Sequence, residues 1–198
     1  MKKLDLLITG IGGQGVILAS DIISEAAVSA GYDVKKTDTL GMAQRGGSVI
    51  SHVRIARQVF SPLIRAGEVD ILLAFEKLEA ARWSYYLSPG GTAIINDQAV
   101  PPLSVSTGSE QYPSDEEITG LLKFKTGRIY FVDGVARAEE IGNVRTVNTF
   151  MLGCTSVFIP FENEIWKDSL SRHLPPKLME INLRAFEKGR EVMSHVRQ

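Results

Sequence analysis

A strand, a glycine turn and the start of a helix follow one another in Leu6-Leu7-Ile8-Thr9-Gly10-Ile11-Gly12-Gly13-Gln14-Gly15 and the apolar residues Val16 to Ala19. Gly10, Gly12 and Gly15 match G-x-G-x-x-G, a pattern that allows a tight turn, a close approach of ligand or backbone, and packing of helix on strand. N–H groups at the start of that helix favour an anion above the turn. The same turn can join strand to helix with no ligand bound, so the motif leaves both interpretations open.

The composition is that of one α/β domain spanning residues 1–198. Hydrophobic residues make up 44% of the chain, charged residues 23%, and the net charge is -1. Because there is no basic excess, nucleic acid is not an expected partner. No apolar run approaches the roughly 20 residues that span a bilayer, so neither a membrane segment nor a signal peptide is predicted. A cytoplasmic location is expected.

Cysteine usage limits the redox chemistry that this chain can carry. Cys154 is the single cysteine, whereas iron–sulfur clusters usually need four thiolates, so any cluster is expected on a partner. The apolar surroundings of Cys154 predict a buried, inert thiol. His52, His173 and His195 lack the paired spacing of metal ligands. No catalytic residue and no metal site are therefore predicted.

The pattern after the glycine turn departs from a standard dinucleotide-binding half. A helix is predicted up to Ala30, where Gly31 ends it, and a strand from 32 to 38 follows. Asp38 falls about 20 residues past the glycines, near the ribose-binding carboxylate of a Rossmann fold. Residues 39–48 lack the periodicity of a second helix. Instead, residues 48–55 alternate as a half-buried strand, expected to be antiparallel to a neighbour, with residues 59–61 pairing to it as a hairpin.

The remaining pattern predicts an α/β fold: a Rossmann-like open mixed sheet with helices on both faces and a helical C-terminal part. Ser114 and Glu117 form a predicted capping box. The last helix carries an apolar stripe that is expected to dock on the body of the domain. Further strands are expected at 69–75, 92–96 and 127–132, helices at 76–87, 115–123, 134–141, 146–158, 162–172 and 175–195, a turn at 88–91 and a surface loop at 97–113.

Two more segments contain candidate site residues. The run Gln44-Arg45-Gly46-Gly47 places a guanidinium among backbone donors near the carboxyl end of the second strand, where open α/β sheets bind ligands. A surface arginine in a loop is the alternative. Asn143, Arg145 and Asn148 stand at the entry to an apolar helix, where capping of backbone groups and a ligand or interface role are equally supported. The predicted ligand or partner-interface residues are Gly10, Gly12, Gly13, Gln14, Gly15, Gln44, Arg45, Gly46, Gly47, Asn143 and Arg145.

Four of these stretches carry a resemblance to a known family. Residues 10–15, 41–54, 89–91 and 142–148 together resemble the gamma domain of the 2-oxoacid:ferredoxin oxidoreductases. The match is closest to the beta-subunit type found in the indolepyruvate enzymes of that family, and it extends from the N-terminus to the last helix. The run from Gly41 to Gly47 is more specific than the first glycine motif.

The resemblance implies a role in an oxidative decarboxylation carried out by a hetero-oligomer. A large alpha subunit is expected to carry thiamine diphosphate, Mg and iron–sulfur clusters. Electrons pass to ferredoxin, and coenzyme A takes the acyl group. This chain would bind no cofactor alone, would be inactive alone, and would act by interface and positioning, with the glycine turn contacting coenzyme A, thiamine diphosphate or only the partner. Indolepyruvate, another arylpyruvate and a branched-chain 2-oxoacid all remain open as substrates.

Two other functions are compatible with parts of the sequence. A stand-alone Rossmann dehydrogenase using a nicotinamide or flavin would explain the glycine motif. The missing second helix after Asp38 and the lack of an acid/base pair argue against it. A pure interaction module with an empty glycine turn is the third possibility.

Overall fold

A mixed sheet of six strands is the centre of the computed structural model, which describes residues 1, 3–41 and 47–196. The strand order is β2-β3-β1-β4-β5-β6. Strands β1, β4, β5 and β6 run parallel to one another. Strand β3 lies between β1 and β2 and is antiparallel to both. The strands are β1 Lys3–Ile11, β2 Asp33–Leu40, β3 Ser48–Ala56, β4 Val69–Ala74, β5 Leu87–Asn96 and β6 Arg128–Val132.

Helices cover both faces of this sheet. The described residues form α1 Val16–Ser29, α2 Lys77–Trp83, α3 Leu103–Ser106, α4 Asp115–Lys123, α5 Gly134–Ile141, α6 Val147–Ser156, α7 Asn163–His173 and α8 Pro176–Val196. Leu6 and Ile8 of β1 face a core shared with α1, α6, α7 and α8. Leu7 faces a second core shared with α2 and α4. The predicted fold class, including the helical C-terminal part, is confirmed.

The position of β3 explains why the standard nucleotide-binding half does not form. Leu6 pairs with Val53 of β3, and Val34 of β2 pairs with Ile55 on the other side of β3. The predicted antiparallel pairing is therefore correct, but β3 is not half-buried as expected, since helices cover both faces of the sheet and Ser51 and His52 are buried. Asp38 lies on the edge strand β2, separated from β1 by β3, and accepts a hydrogen bond from Ser51 Oγ at 2.6 Å. Asp38 is thus not beside β1, where a ribose-binding carboxylate would stand.

The hairpin predicted at residues 59–61 does not form. Both edges of β3 are already occupied by β1 and β2, so no ladder position is left for it. Side chains hold this part of the chain instead: Val59 N–H donates to Asp33 Oδ2 at 2.7 Å, and the Arg54 guanidinium donates to Ser61 O at 3.5 Å and, just after the segment, to Leu63 O at 3.0 Å.

The turn predicted at residues 88–91 is also wrong, because this segment belongs to β5. Helix α2 ends at Trp83, earlier than predicted, and a 3-10 turn from Ser84 to Tyr86 leads into the strand. The register of β5 against β4 shifts between Val69 and Ile71. An added Cβ at Gly91 would lie 2.7 Å from Val69 O, so glycine permits the close approach of the two strands.

Several local predictions are confirmed. Ser114 and Glu117 form the capping box that opens α4. Cys154 is fully buried, and burial raises its thiol pKa to about 12, as expected of an inert thiol. Helix α8 docks on the domain by burying Ala185 and Phe186. Over the described part of the chain, no helix combines the length and apolar character needed to cross a membrane.

Glycine residues bring α6 and α8 into backbone contact. A Cβ added at Gly189 would lie 2.0 Å from Phe150 O, and a Cβ added at Gly153 would lie 2.1 Å from Phe186 O. Side chains at either position would separate the two helices. The crossing of α6 and α8 therefore depends on this glycine pair, and it fixes the start of α6 beside the glycine turn.

Candidate functional site

A cavity of about 410 Å³ opens where β1, β4 and β5 end. The carboxyl edge of an open α/β sheet is the usual place for a ligand. We call this space the amide cavity, because four of its side chains are carboxamides. Its lining residues are Gly13, Gln14, Gly15, Phe75, Asn96, Gln98, Val135, Val144, Arg145, Val147 and Asn148.

The glycine turn, residues 10–15, uses its glycines differently from the expected pattern. Gly10 still belongs to β1, and a Cβ there would lie 3.1 Å from Phe75 Cβ. Positive φ angles occur at Gly13 (+104°) and Gly15 (+85°), and Gly12 is not among the positive-φ glycines of the described chain. The conformational demand for glycine therefore falls on positions 13 and 15.

The third glycine of the motif makes room for a different helix from the one expected. A Cβ added at Gly15 would lie 2.6 Å from Asn148 Nδ2 and 3.2 Å from Asn148 Cβ. Gly15 also precedes α1 without a side-chain cap. The missing side chain thus lets α6 approach the turn, and it brings Asn148 into the amide cavity.

Gln14 connects the glycine turn to the neighbouring strands. Its Oε1 accepts from Ile11 N at 2.9 Å, and its Nε2 donates to Phe75 O at 3.2 Å and to Gln98 Oε1 at 3.4 Å. Asn96 Nδ2 donates to the same two acceptors, at 3.1 and 3.2 Å. One network of carboxamides therefore joins the ends of β1, β4 and β5.

The segment before α6 brings polar groups to the opposite wall. Asn143 Oδ1 accepts from Arg145 N at 3.0 Å, which is the capping role expected for an asparagine at this position. Asn148 Oδ1 accepts from Thr149 N at 2.8 Å. The Arg145 guanidinium is exposed and makes no ion pair within the described chain. Arg145 thus supplies an available positive charge at the mouth of the amide cavity.

Of the second predicted motif, Gln44, Arg45 and Gly46 lie outside the described residues. The loop that contains them is closed by the β2–β3 pairing, since Leu40 pairs with Val49 and Gly41 N–H donates to Ser48 O at 2.9 Å. This 41–48 loop therefore starts and ends at the same sheet edge as the glycine turn.

The C-terminal end of the 41–48 loop is anchored in two directions. Gly12 N–H donates to Gly47 O at 2.9 Å, so the glycine turn and this loop are joined through the backbone. Ser48 Oγ donates to Glu79 Oε2 at 2.5 Å, and the same oxygen accepts from Trp83 Nε1 at 3.2 Å. Glu79 is only 3% exposed. This buried carboxylate is engaged in positioning the loop, and the Gly12 amide is already used.

A second, more apolar cavity of about 480 Å³ lies between the glycine turn and the ends of β2 and β3. Ile17 and Leu40 on its rim are exposed by 37% and 62%. The glycine turn therefore borders two cavities, one polar and one apolar. The lining of the second consists of Ile11, Gly12, Gly13, Gly15, Val16, Ile17, Leu40, Gly41 and Val49.

Sequence reasoning did not select Asn96 and Gln98 as site residues. Both follow from a signal that was available: they are polar side chains at the carboxyl end of a buried strand in a parallel region.

Glu76, which was also not selected, is buried at 1% exposure and accepts hydrogen bonds from Val100 N at 3.0 Å and from the Tyr112 hydroxyl. Burial and Glu76 raise the pKa of Tyr112, which keeps it a neutral donor. Glu76 thus holds the 97–113 segment in place. Over the described residues, no three His, Cys, Asp or Glu side chains are grouped as metal ligands.

Comparison with known proteins connects this chain to one family. The family model described as pyruvate ferredoxin/flavodoxin oxidoreductase matches residues 5–192. Indolepyruvate oxidoreductase subunit IorB of Pyrococcus horikoshii is 37% identical over 192 residues, which cover 96% of this chain and 95% of that protein. The match therefore runs from end to end in both proteins.

Solved structures share the fold. The gamma subunit of a keto/oxoacid ferredoxin oxidoreductase from Geobacter sulfurreducens has a TM-score of 0.72 at 22% identity, covering 97% of this chain and 99% of that chain. A 2-oxoglutarate:ferredoxin oxidoreductase from Magnetococcus marinus has a TM-score of 0.75 at 21% identity, covering 98% of this chain but 32% of that longer one. The same fold thus occurs both as a separate chain and as about a third of a longer one.

Proposed function

We propose that this chain, which belongs to the pyruvate ferredoxin/flavodoxin oxidoreductase family, is the subunit without clusters of a 2-oxoacid:ferredoxin oxidoreductase that acts on indolepyruvate or another arylpyruvate. One observation carries the proposal: the end-to-end match, at 37% identity, to a subunit named from an indolepyruvate oxidoreductase. Residues 1–198 then form a single gamma-type domain, and the enzyme is active only as a complex.

The chemistry is divided between this chain and a large alpha subunit. Thiamine diphosphate with Mg supplies the carbanion chemistry of decarboxylation, and iron–sulfur clusters carry electrons to ferredoxin; we assign both to the partner. The single cysteine of this chain, which is buried, supports that division, because a cluster usually takes four thiolates. Coenzyme A accepts the acyl group in the complex.

The contribution of this chain is to position groups at the sheet edge that bears the two cavities. The glycine turn, the two ends of the 41–48 loop and the segment from Asn143 to Asn148 meet there. A shared edge supports the assignment of Gly10, Gly12, Gly13, Gln14, Gly15, Gln44, Arg45, Gly46, Gly47, Asn143 and Arg145 to contacts with the partner or coenzyme A. Fixing reacting groups in place is a substantial part of catalysis by such complexes.

A stand-alone dinucleotide-dependent dehydrogenase is the alternative. The placement of β3 between β1 and β2 argues against it, because the strand that would carry the ribose-binding carboxylate is not next to β1. The hydrogen bond from Gly12 N–H to Gly47 O removes one of the donors that a pyrophosphate would use.

The first experimental test is reconstitution. We expect the purified chain to be colourless and unable to oxidise arylpyruvates, because it has a single thiol. Addition of the cognate large subunit should give arylpyruvate-dependent ferredoxin reduction that requires coenzyme A, measured by absorbance. An iron–sulfur absorption band in the isolated chain, or reduction of NAD by the chain alone, would contradict the proposal. The large subunit assayed without this chain is the matched control.

A second test addresses the 41–48 loop. Arg45→Ala is expected to lower the activity of the assembled complex, since a guanidinium suits an anionic group or an acidic partner surface. If the guanidinium acts on a ligand or partner and not within the chain, the melting temperature should hardly change, because a substitution that removes no internal contact usually alters stability by less than about 0.5 kcal/mol. Arg57→Ala, which removes an exposed arginine from the connection after β3, is the control. Unchanged assembly and kinetics in Arg45→Ala would leave the loop without the proposed role.

A further inference from the structure

We infer that the amide cavity binds the anionic end of a small organic molecule, a carboxylate or phosphate group held by Gln98 Nε2, Asn148 Nδ2 and the Arg145 guanidinium. The inference rests on the proposed function in one respect: it assumes that the subunit contacts its partner or substrates at this sheet edge. It adds the chemical class of the ligand and the atoms that hold it.

The hydrogen-bond polarity of the Gln98 carboxamide is fixed by the backbone. Ile11 N–H can only donate, so the Gln14 atom that it contacts at 2.9 Å is the oxygen, and Gln14 Nε2 is a donor. Gly134 N–H fixes Asn96 in the same way, through Oδ1 at 3.0 Å. Both amide nitrogens donate to one atom of Gln98, which must be its oxygen. The Nε2 of Gln98 is left as the free end of the network.

The polarity of Asn148 is fixed independently. Its Oδ1 accepts from Thr149 N at 2.8 Å, and a backbone N–H can only donate, so Nδ2 is the outward atom. This Nδ2 stands next to Gly15, where a Cβ would meet it at 2.6 Å. Across the described residues, neither Asn148 Nδ2 nor Gln98 Nε2 has an acceptor within hydrogen-bond distance.

The unpartnered side-chain atoms of the amide cavity are therefore donors, whereas its carboxamide oxygens already accept from the protein. All four carboxamide oxygens of Gln14, Asn96, Gln98 and Asn148 are occupied by protein donors. Phe75 O already accepts two hydrogen bonds. No carboxylate is among the lining residues, and Arg145 adds a positive charge. A ligand that satisfies these groups must bring acceptor atoms, and charge favours an anion such as a carboxylate or phosphate.

The rest of the lining indicates that the anion belongs to an organic molecule. Phe75, Val135, Val144 and Val147 provide apolar walls beside the three donors. A volume of about 410 Å³ lies in the range of small-molecule sites, which combine apolar walls with a few placed polar groups. The carboxylate of an arylacetate-like molecule and the phosphate of a phosphorylated cofactor share the required chemistry, and the experiment separates them.

The test follows the donor atoms themselves. The full chain, labelled with ¹⁵N, is titrated with phenylacetate, with pyrophosphate and with neutral phenylacetamide at constant ionic strength. We expect one of the two anions to shift the side-chain amide resonances of Gln98 and Asn148 saturably, and phenylacetamide to leave them unchanged. A response to phenylacetate assigns a carboxylate ligand, and a response to pyrophosphate assigns a phosphate ligand.

Two variants and a control decide whether the named donors are responsible. Arg145→Gln should weaken the binding about tenfold or more, since a charge-assisted contact is lost. Gln98→Glu keeps the acceptor for Gln14 and Asn96 but replaces the free NH₂ by an anionic oxygen, so binding should disappear. Arg184→Gln, on the exposed side of α8, should bind as the wild type.

The inference is overturned if the side-chain amide resonances of Gln98 and Asn148 do not shift at anion concentrations up to tens of millimolar. It is also overturned if Arg145→Gln and the wild type bind the anion with equal affinity. Neither result bears on whether the chain supports ferredoxin reduction with its partner, which the reconstitution assay measures separately. Conversely, saturable anion binding in a chain that does not support ferredoxin reduction with its partner would support the anion site and contradict the proposed function.

Discussion

Gly189→Ala is expected to lower the free energy of unfolding by about 2 to 4 kcal/mol. The added Cβ would lie 2.0 Å from Phe150 O and 3.0 Å from Cys154 N, so α8 must move away from α6. Backbone atoms cannot rotate aside as a flexible side chain can. For a chain of this size the loss corresponds to a fall in melting temperature of roughly 5 to 15 °C, measurable by calorimetry or circular dichroism.

Gly120→Ala is the matched control for this prediction. Gly120 is also helical, in α4, but a Cβ there meets no atom within 4 Å. Alanine should therefore stabilise the chain by up to about 1 kcal/mol through helix propensity. The two substitutions are chemically identical and are expected to have opposite signs. A Gly189→Ala chain as stable as the wild type would show that α6 and α8 do not cross at this glycine.

Gly15→Ala is expected to have the second largest effect, on both stability and the site. Its φ of +85° disfavours alanine by about 1 to 2 kcal/mol. In addition, the new Cβ would lie 2.6 Å from Asn148 Nδ2, so Asn148 must leave its position in the amide cavity. Melting temperature and activity of the reconstituted complex should both fall.

Gly13→Ala separates the two causes. Gly13 has a φ of +104°, but a Cβ there meets nothing within 4 Å, so only the backbone strain of about 1 to 2 kcal/mol applies. The excess loss in Gly15→Ala measures the contact with Asn148, and it should shrink when both chains also carry Asn148→Ala. Equal losses in Gly13→Ala and Gly15→Ala would mean that Asn148 is free to move and that the contact has no energetic weight.

Local signals in the sequence predicted most of the fold correctly. The capping box at Ser114 and Glu117, the helix-ending glycine at Gly31 and the continuous apolar run at 69–75 are each determined by residues that are close in sequence. The alternation in residues 48–55 predicted the strand and its antiparallel pairing, but the expected exposed face is wrong, because Ser51 and His52 are buried as Ile50 and Val53 are. Such signals do not depend on distant contacts, so they can be interpreted without the structure.

Predictions that depended on distant contacts were less accurate. The 59–61 segment has hairpin character, but whether it pairs is decided by β1 and β2, which already flank β3. Gly90 and Gly91 are residues typical of a turn, but position 91 requires glycine because Val69 O of the neighbouring strand approaches it closely. The position of Asn96 and Gln98 at the end of a buried strand was a usable signal for the site. Their hydrogen-bond network was not predictable, because it also requires Gln14, which is 84 residues away from Gln98 in the sequence.

The antiparallel placement of β3 has a consequence for how subunits of this shape can diverge. In a doubly wound sheet, the segment after the second strand must continue into a helix that packs on the core, so changes in its length disturb packing. Here the segment simply returns as the loop of a β2–β3 hairpin, closed by the pairing of Leu40 with Val49. Hairpin loops tolerate insertions and deletions. The length of the connection between β2 and β3 can therefore change while the sheet register and both cores are retained.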